Sequence, residues 1–429
     1  MRQLRMTRRF PAWHSLGGMS VHPPVAPSSV TDAPPGVTTR FLVIVGACGF
    51  ASAVSMRILD PVMPLIAADF ERGMVEVALL STWFTFFYAF GQPVLGPIGD
   101  SFGKARLMSY ALIAVAACTG VAALASSFGL FAFARGVTGV ASGGVIPLAI
   151  AMIGDRAPYA ERQIVLARFM MATLSGQIAG GLISGALAPF IGWRGVLIAS
   201  ALVTLIVGIG TWIAVKPRPY APRKPFSLKG AIANYRDIIA HPRAIPLFVL
   251  VAVEGATVFG FFPYVAAMLQ GRDGAGTVEA GIVVGSFAVG GLIFSFLAPW
   301  LVNRLGPANM MRVGGDIVAV SFALFAFRWP WWTGIPIFTA IGFGFYLLHN
   351  NLQAQATTLS ETARGSSVAL FACALFAGVA CGPPLIGLLK AAGGETFALL
   401  SYAAIVLFLG YFAPLALKIE QPRRSHRPR

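Results

Sequence analysis

The chain has 429 residues, of which 57% are hydrophobic and only 11% are charged, and its net charge is +16. Soluble domains of this length need more charge to cover their surface, so the composition excludes them and predicts a protein embedded in a lipid bilayer. The basic excess could suggest nucleic acid, but Lys and Arg fall mainly in short loops between apolar runs. We therefore expect no nucleic-acid partner.

Twelve apolar runs predict an all-α integral membrane protein, because each is long enough to cross the roughly 30 Å of hydrocarbon in a bilayer. We number these helices spans 1–12. They are predicted at 41–67, 75–98, 105–125, 128–152, 164–189, 194–215, 245–269, 279–302, 308–327, 332–356, 366–389 and 396–417. The remaining segments are predicted as a disordered cytoplasmic leader (1–39), a basic cytoplasmic linker (216–243) and a basic cytoplasmic tail (419–429).

Most of the 32 Lys and Arg residues lie in alternate loops, which would share one side of the membrane. Cytoplasmic loops carry such an excess, so this pattern puts both termini in the cytoplasm. We expect a multi-pass protein of the cell membrane, specifically a bacterial inner membrane.

The segments 40–215 and 244–418 resemble each other at an offset of about 202 residues. The corresponding pairs include Pro61 with Pro263, Gly103 with Gly306, Gly176 with Gly378, and Gly180 with Gly382. A nearly constant offset indicates duplication, and it predicts two pseudo-symmetric six-helix halves.

The loop after span 2 has the sequence GQPVLGPIGDSFGKAR at 91–106. It resembles the loop signature of the major facilitator superfamily, G-x3-D-[RK]-x-G-[RK]-[RK], although Ser101 and Ala105 depart from that pattern. The resemblance covers about residues 40–418 and implies that the loop is a latch between conformations, with the twelve-helix fold of that superfamily. The predicted latch residues are Gly96, Gly99, Asp100, Gly103, Lys104 and Arg106. Alternatively, Asp100 only caps span 3 in a tight, basic turn.

Glycines in spans 4, 5 and 11 are predicted helix-packing residues, because small side chains let helices approach closely. In span 4 the glycines follow Arg135 in a pattern similar to the family's R-x3-G-x3-G. In span 5 they resemble a signature of proton-coupled antiporters, although Gly181 replaces its proline, and this favours antiport over symport. The predicted packing residues are Gly139, Gly143, Gly176, Gly180 and Gly382.

Glu254 lies near the middle of span 7, where a carboxyl group is costly and is a candidate functional group. Loss of water disfavours its ionised form, so it could bind and release protons near neutral pH. The alternative is a structural Glu that is hydrogen-bonded within the bundle.

Three further charged residues inside predicted spans are assigned to proton coupling with Glu254. Arg57 and Asp60 are three residues apart on span 1 and can pair on one helix face. Their predicted depth is near the outer boundary, so an interface pair and a coupling role are both open. Arg135 in span 4 needs a counter-ion or an anionic ligand.

Span 10 lines the central cavity in the family, and its second half is unusually polar here, with His349 and Asn350 as predicted substrate contacts. The other predicted cavity residues are Arg135, Gln177, Phe261 and Tyr346. For His349 and for the aromatic residues, packing between helices is the competing interpretation.

The resemblance implies a secondary transporter, and the leading hypothesis is proton-coupled efflux of a small organic or amphipathic solute by alternating access. A proton-linked importer of a sugar or organic acid remains open, as does a non-transporting sensor on the same scaffold. The sequence has no nucleotide-binding G-x4-G-K-[ST] loop and no hydrolase motif, so we expect no enzyme activity. Expected partners are the solute, protons and the bilayer. No cofactor or metal is expected, and we expect a monomer.

Overall fold

The computed structural model describes residues 37–157, 159–215, 228–270, 273–360 and 364–419. Almost all of the predicted leader, the first part of the linker and the tail from residue 420 lie outside the described residues. Spans 1–4 are Thr39–Asp69, Met74–Phe102, Lys104–Ala123 and Phe128–Arg156. Span 7 is Ala244–Leu269 and span 10 is Trp331–Ala356.

The remaining spans are paired in three long helical segments, Tyr159–Ala214, Thr277–Phe325 and Arg364–Ala416. Each bends at one glycine with positive φ, at Gly192 (φ 66°), Gly306 (φ 68°) and Gly394 (φ 81°). Each segment has more than twice the roughly 20 residues that one crossing needs. The described residues therefore contain the twelve predicted spans, with spans 5 and 6, 8 and 9, and 11 and 12 joined at these bends.

The two halves repeat these bends at corresponding positions. Gly103, with φ 98°, joins spans 2 and 3 as Gly306 joins spans 8 and 9. Gly192 joins spans 5 and 6 as Gly394 joins spans 11 and 12. Positive φ is readily adopted by glycine alone, so each turn has the residue that its backbone requires. The predicted architecture of two pseudo-symmetric six-helix halves is confirmed.

Spans 1 and 7 are both interrupted by a break in the α-helix. Span 1 changes to a 3₁₀ turn at Asp60–Val62, and span 7 breaks between Val258 and Phe262. Pro61 lies within the first break and Pro263 directly after the second, and neither has an N–H with which to continue the α-helical hydrogen bonds. In span 1, Ser184 of span 5 donates to the Ile58 carbonyl at 2.5 Å. The breaks place charged and aromatic side chains at the centre of the molecule.

The halves contact each other at the end of the bundle that lies opposite the chain termini. There Thr277, at the start of span 8, donates its hydroxyl to the Gly185 carbonyl of span 5 at 3.2 Å. On the other flank, Val75 of span 2 packs on Gly387 of span 11. We call this the opposite end, and we call the end that carries residues 37, 103 and 419 the linker end.

The second part of the predicted linker contains an amphipathic helix, Leu228–Ile239, for which the sequence analysis made no prediction. Ile238 is buried and belongs to the same apolar core as Leu247 and Leu417, and Tyr235 packs against that core. The linker helix therefore belongs structurally to the C-terminal half.

Candidate functional site

A cavity of about 390 Å³ lies between the two halves. Its walls come from spans 1, 2, 4, 5, 7, 8, 10 and 11, and they extend toward the linker end through Met170 and Gln353. Aromatic and aliphatic side chains form most of the surface, among them Phe84, Phe345 and Phe376. A few polar groups face the same space, an arrangement typical of small-molecule sites.

Arg57 and Asp60 line this cavity and are almost completely buried. Their predicted depth near the outer boundary of the bilayer stays a prediction, and the structure adds that both face the space between the two halves. Nη1 of Arg57 is 3.4 Å from Oδ2 of Asp60. The guanidinium group also lies 4.8 Å from the ring centre of Phe259 and 4.5 Å from that of Phe262. Arg57 thus connects the N-terminal half to span 7 by cation–π contacts.

Arg135 is 1% exposed and does not line the cavity, so its predicted place on the cavity wall is wrong. Its guanidinium group lies 4.4 Å from the ring centre of Phe84, and Phe84 provides that part of the wall. Nε and Nη1 have no hydrogen-bond partner in the described part of the chain. Among the described residues, the ion pair of Asp60 is with Arg57.

Glu254 and His349 form a buried pair between spans 7 and 10. Oε2 of Glu254 is 2.8 Å from Nδ1 of His349. Glu254 is fully buried behind the cavity, whereas the His349 side chain lines it. Oε1 of Glu254 has no hydrogen-bond partner among the described residues. The imidazole ring of His349 therefore lies between Glu254 and the cavity.

The His349 ring is held in place by two aromatic neighbours. It stacks on Phe345 at 4.7 Å and tilts against Phe371 at 5.3 Å between ring centres. Phe345 precedes His349 by four residues and therefore lies on the same face of span 10. These contacts fix the direction of Nδ1 toward Glu254.

Several predicted cavity residues do line the cavity, namely Gln177, Tyr346, His349 and Asn350. The prediction for Phe261 is wrong. Phe261 is fully buried in the apolar core of the C-terminal half, where its ring packs on Phe322 and Phe338. The break in span 7 turns Phe261 away from the cavity, and Phe259 lines it instead.

Sequence reasoning missed Met170 and Thr173, which line the cavity on span 5. Together with Gln177 they are spaced by three and four residues, so they share one helix face. That spacing could have identified them once Gln177 was assigned. Three aromatic residues of span 2 do not line the cavity: Trp83, Phe86 and Phe90 are about half exposed and face away from it.

The predicted packing glycines lie at close approaches of helix backbones. A Cβ atom on Gly139 would lie 2.2 Å from the Phe84 carbonyl oxygen, and one on Gly382 would lie 2.3 Å from Cα of Gly260. Gly143, Gly176 and Gly180 approach the backbones of Tyr88, Phe50 and Val54. At these positions a side chain would force the helices apart.

In the predicted latch loop, Nζ of Lys104 is 2.6 Å from Oδ2 of Asp155, which joins the start of span 3 to the end of span 4. Gly103 adopts positive φ, and Gly99 packs closely on Leu148. Arg106 is partly buried in the first turn of span 3. The predictions for the surroundings of Gly96 and for the Asp100 side chain fall outside what the structure describes.

Two six-helix halves around a central cavity, with ionisable groups buried in its wall, define a polytopic membrane transporter. Comparison with known proteins gives its family. Residues 45–366 match the family model of the Major Facilitator Superfamily, and the chain belongs to that family.

Relatives and solved structures agree with this assignment. The chain is 27% identical to a probable transporter of Streptomyces coelicolor, over 85% of this chain and 88% of that protein. It is 23% identical to a chloramphenicol resistance protein of Streptomyces lividans, over 67% of this chain and 72% of that protein. It shares the fold of a bacterial homologue of the human lysosomal transporter Spinster, solved in an inward-facing, occupied conformation. That comparison has a TM-score of 0.73 at 18% identity and covers 88% of this chain and 96% of the other.

Proposed function

We propose that the protein exports a small organic or amphipathic solute in exchange for protons, by alternating access of the central cavity to the two sides of the membrane. The observation that carries this proposal is the pair of Glu254 and His349, with one member on the cavity wall and the other sealed behind it. A buried carboxyl without bulk water needs a defined route for its proton, and His349 provides one.

The exchange of solute for protons follows from the position of His349 on the cavity wall. A solute in the cavity contacts the imidazole ring that also passes the proton, so occupancy by the solute and protonation of the pair influence each other. Arg57 supplies the link to conformation, since its guanidinium group belongs to span 1 and its aromatic partners belong to span 7. Movement of the halves must change these contacts.

The direction of export rests on three arguments. The distribution of Lys and Arg favours a cytoplasmic linker end, and the walls of the cavity extend toward that end through Met170 and Gln353. The largely aromatic and aliphatic wall suits hydrophobic solutes. One relative bears the name of a chloramphenicol resistance protein, which is consistent with removal of a compound from the cell.

A second candidate is symport of a proton with an organic anion, which the excess of buried arginine favours. Asp60 pairs with Arg57, whereas Arg135 has two nitrogen atoms without a partner in the described chain. An anionic solute would compensate that charge when the Glu254–His349 pair carries a proton.

The two candidates differ in the sign of a pH change in proteoliposomes. We would add solutes of a panel outside vesicles that contain a pH-sensitive dye, and compare the wild type with Glu254→Gln. Solute entry makes the lumen alkaline in antiport and acidic in symport. Glu76→Gln is the matched control, because Glu76 is half exposed and pairs with Arg72 outside the site.

We expect solute-dependent proton movement in the wild type and in Glu76→Gln, and its loss in Glu254→Gln. Solute-for-solute exchange by Glu254→Gln would show that this variant is folded, since exchange needs no net proton movement. Proton flux that persists in Glu254→Gln would reassign coupling to Asp60 or Arg135. Solute uptake without proton flux in any of the three proteins would identify a uniporter and reject the coupling proposal.

A further inference from the structure

The linker helix, Leu228–Ile239, makes a hydrogen bond to the opposite half of the molecule. The Tyr235 hydroxyl donates to the Pro93 carbonyl of span 2 at 3.1 Å. Because Tyr235 and Ile238 pack in the core of the C-terminal half, this bond joins the two halves at the linker end. It spans 142 residues of sequence.

The Pro93 carbonyl is free to accept this bond because residue 97 is also a proline. In an α-helix the carbonyl of residue 93 accepts from the N–H of residue 97. Residue 97 is proline and has no N–H, so the Pro93 carbonyl has no donor within its own helix. An unpaired carbonyl in an apolar region is costly, and a donor from elsewhere is therefore favoured. Tyr235 supplies it.

The same chemistry occurs at the opposite end. The Gly185 carbonyl of span 5 would accept from residue 189, which is also proline. It accepts instead from the hydroxyl of Thr277 in the C-terminal half, at 3.2 Å. In both cases a proline frees a carbonyl in the N-terminal half, and a hydroxyl of the C-terminal half donates to it. The repetition argues that the Tyr235 bond is a feature of the fold.

We propose that Tyr235 and Pro97 act together as positioning residues that set the balance between the closed and open arrangements of the linker end. The bond connects two bodies that must move relative to each other if the cavity is to open alternately to the two sides. Opening at the linker end separates span 2 from the linker helix and breaks the bond. The bond therefore stabilises the arrangement in which the two halves lie closer together at that end. This assignment rests on alternating access and is independent of the proposed proton coupling and solute.

The test measures the distance between the halves directly. Spin labels are placed at Phe102 of span 2 and at Thr357, just after span 10, both exposed at the linker end, in a background without native cysteine. Distance distributions are recorded by pulsed electron resonance in lipid nanodiscs, with no solute and at one pH. Tyr235→Phe removes the hydroxyl and keeps the ring. Pro97→Ala restores an N–H that competes for the Pro93 carbonyl.

We expect Tyr235→Phe to raise the ratio of long to short distances about two- to tenfold, the range for one neutral hydrogen bond. Pro97→Ala should act in the same direction, and the double variant should change the ratio no more than the larger single effect. Tyr110→Phe, at an exposed tyrosine of span 3, should match the wild type.

An unchanged or shorter distance distribution for Tyr235→Phe would overturn the proposal. Additive effects of Tyr235→Phe and Pro97→Ala would also overturn it, because the two residues would then not act on one carbonyl. Neither result depends on transport, so failure here is distinguishable from failure of the proposed function.

Discussion

Replacement of Gly139 by alanine should destabilise the N-terminal half, because span 4 lies directly on the backbone of span 2. The new Cβ atom would be 2.2 Å from the Phe84 carbonyl oxygen and 3.0 Å from the Phe84 carbonyl carbon. Carbon–oxygen contacts normally lie near 3.3–3.6 Å, so the two helices must separate by about 1 Å. The neighbour is backbone and cannot rotate away.

Overpacking of this kind costs about 1–3 kcal/mol in free energy of unfolding. The same shift moves Phe84, whose ring lies between Arg135 and the cavity, so solute affinity should fall as well. Thermal unfolding of the purified protein in detergent measures the first effect, and solute binding measures the second.

Gly120→Ala is the matched control, because a Cβ atom on Gly120 meets nothing within 4 Å. Alanine favours a helix over glycine, so this variant should be as stable as the wild type or slightly more stable. If Gly139→Ala unfolds at the same temperature as Gly120→Ala, spans 2 and 4 are not in the close contact described here.

Two further variants test the charged groups. His349→Gln should reduce solute-dependent proton flux as strongly as loss of Glu254, because the imidazole connects Glu254 to the cavity, and unaltered flux in proteoliposomes would reject that route. Arg57→Gln should lower the free energy of unfolding by about 3–5 kcal/mol, since it leaves Asp60 buried without its partner. Adding Asp60→Asn should recover much of that loss in thermal unfolding, and a double variant no more stable than Arg57→Gln would show that Arg57 acts through its aromatic contacts instead.

The sequence predicted the fold well where the signal is local. The apolar runs gave twelve spans within a few residues of the observed ones, since the length of a crossing is set by the bilayer. Pro61, Gly103 and Gly306 were identified from the internal repeat, and the structure has a helix break and two tight turns there, because proline lacks an N–H and glycine adopts positive φ. The linker helix was missed, because its apolar residues are few and the basic, proline-rich residues before it dominate the composition.

The candidate site was predicted less completely. Glu254, His349, Arg57 and Asp60 could each be identified as costly polar groups in a bilayer. No pattern in the sequence predicted the hydrogen bond between His349 and Glu254, which are 95 residues apart. Nor did any local pattern show that Arg135 lies behind the cavity wall.

The sequence by itself thus determined which segments cross the membrane and which polar and charged residues within them are costly there. Only the tertiary structure decided which of those residues meet. Hydropathy, proline and glycine act along one helix, whereas contacts depend on the rotation of each helix about its axis. That rotation follows from packing, as at Gly139 and Gly382, where the absence of a side chain lets two backbones approach. In span 7 the break in the helix turned Phe259 toward the cavity and Phe261 away from it.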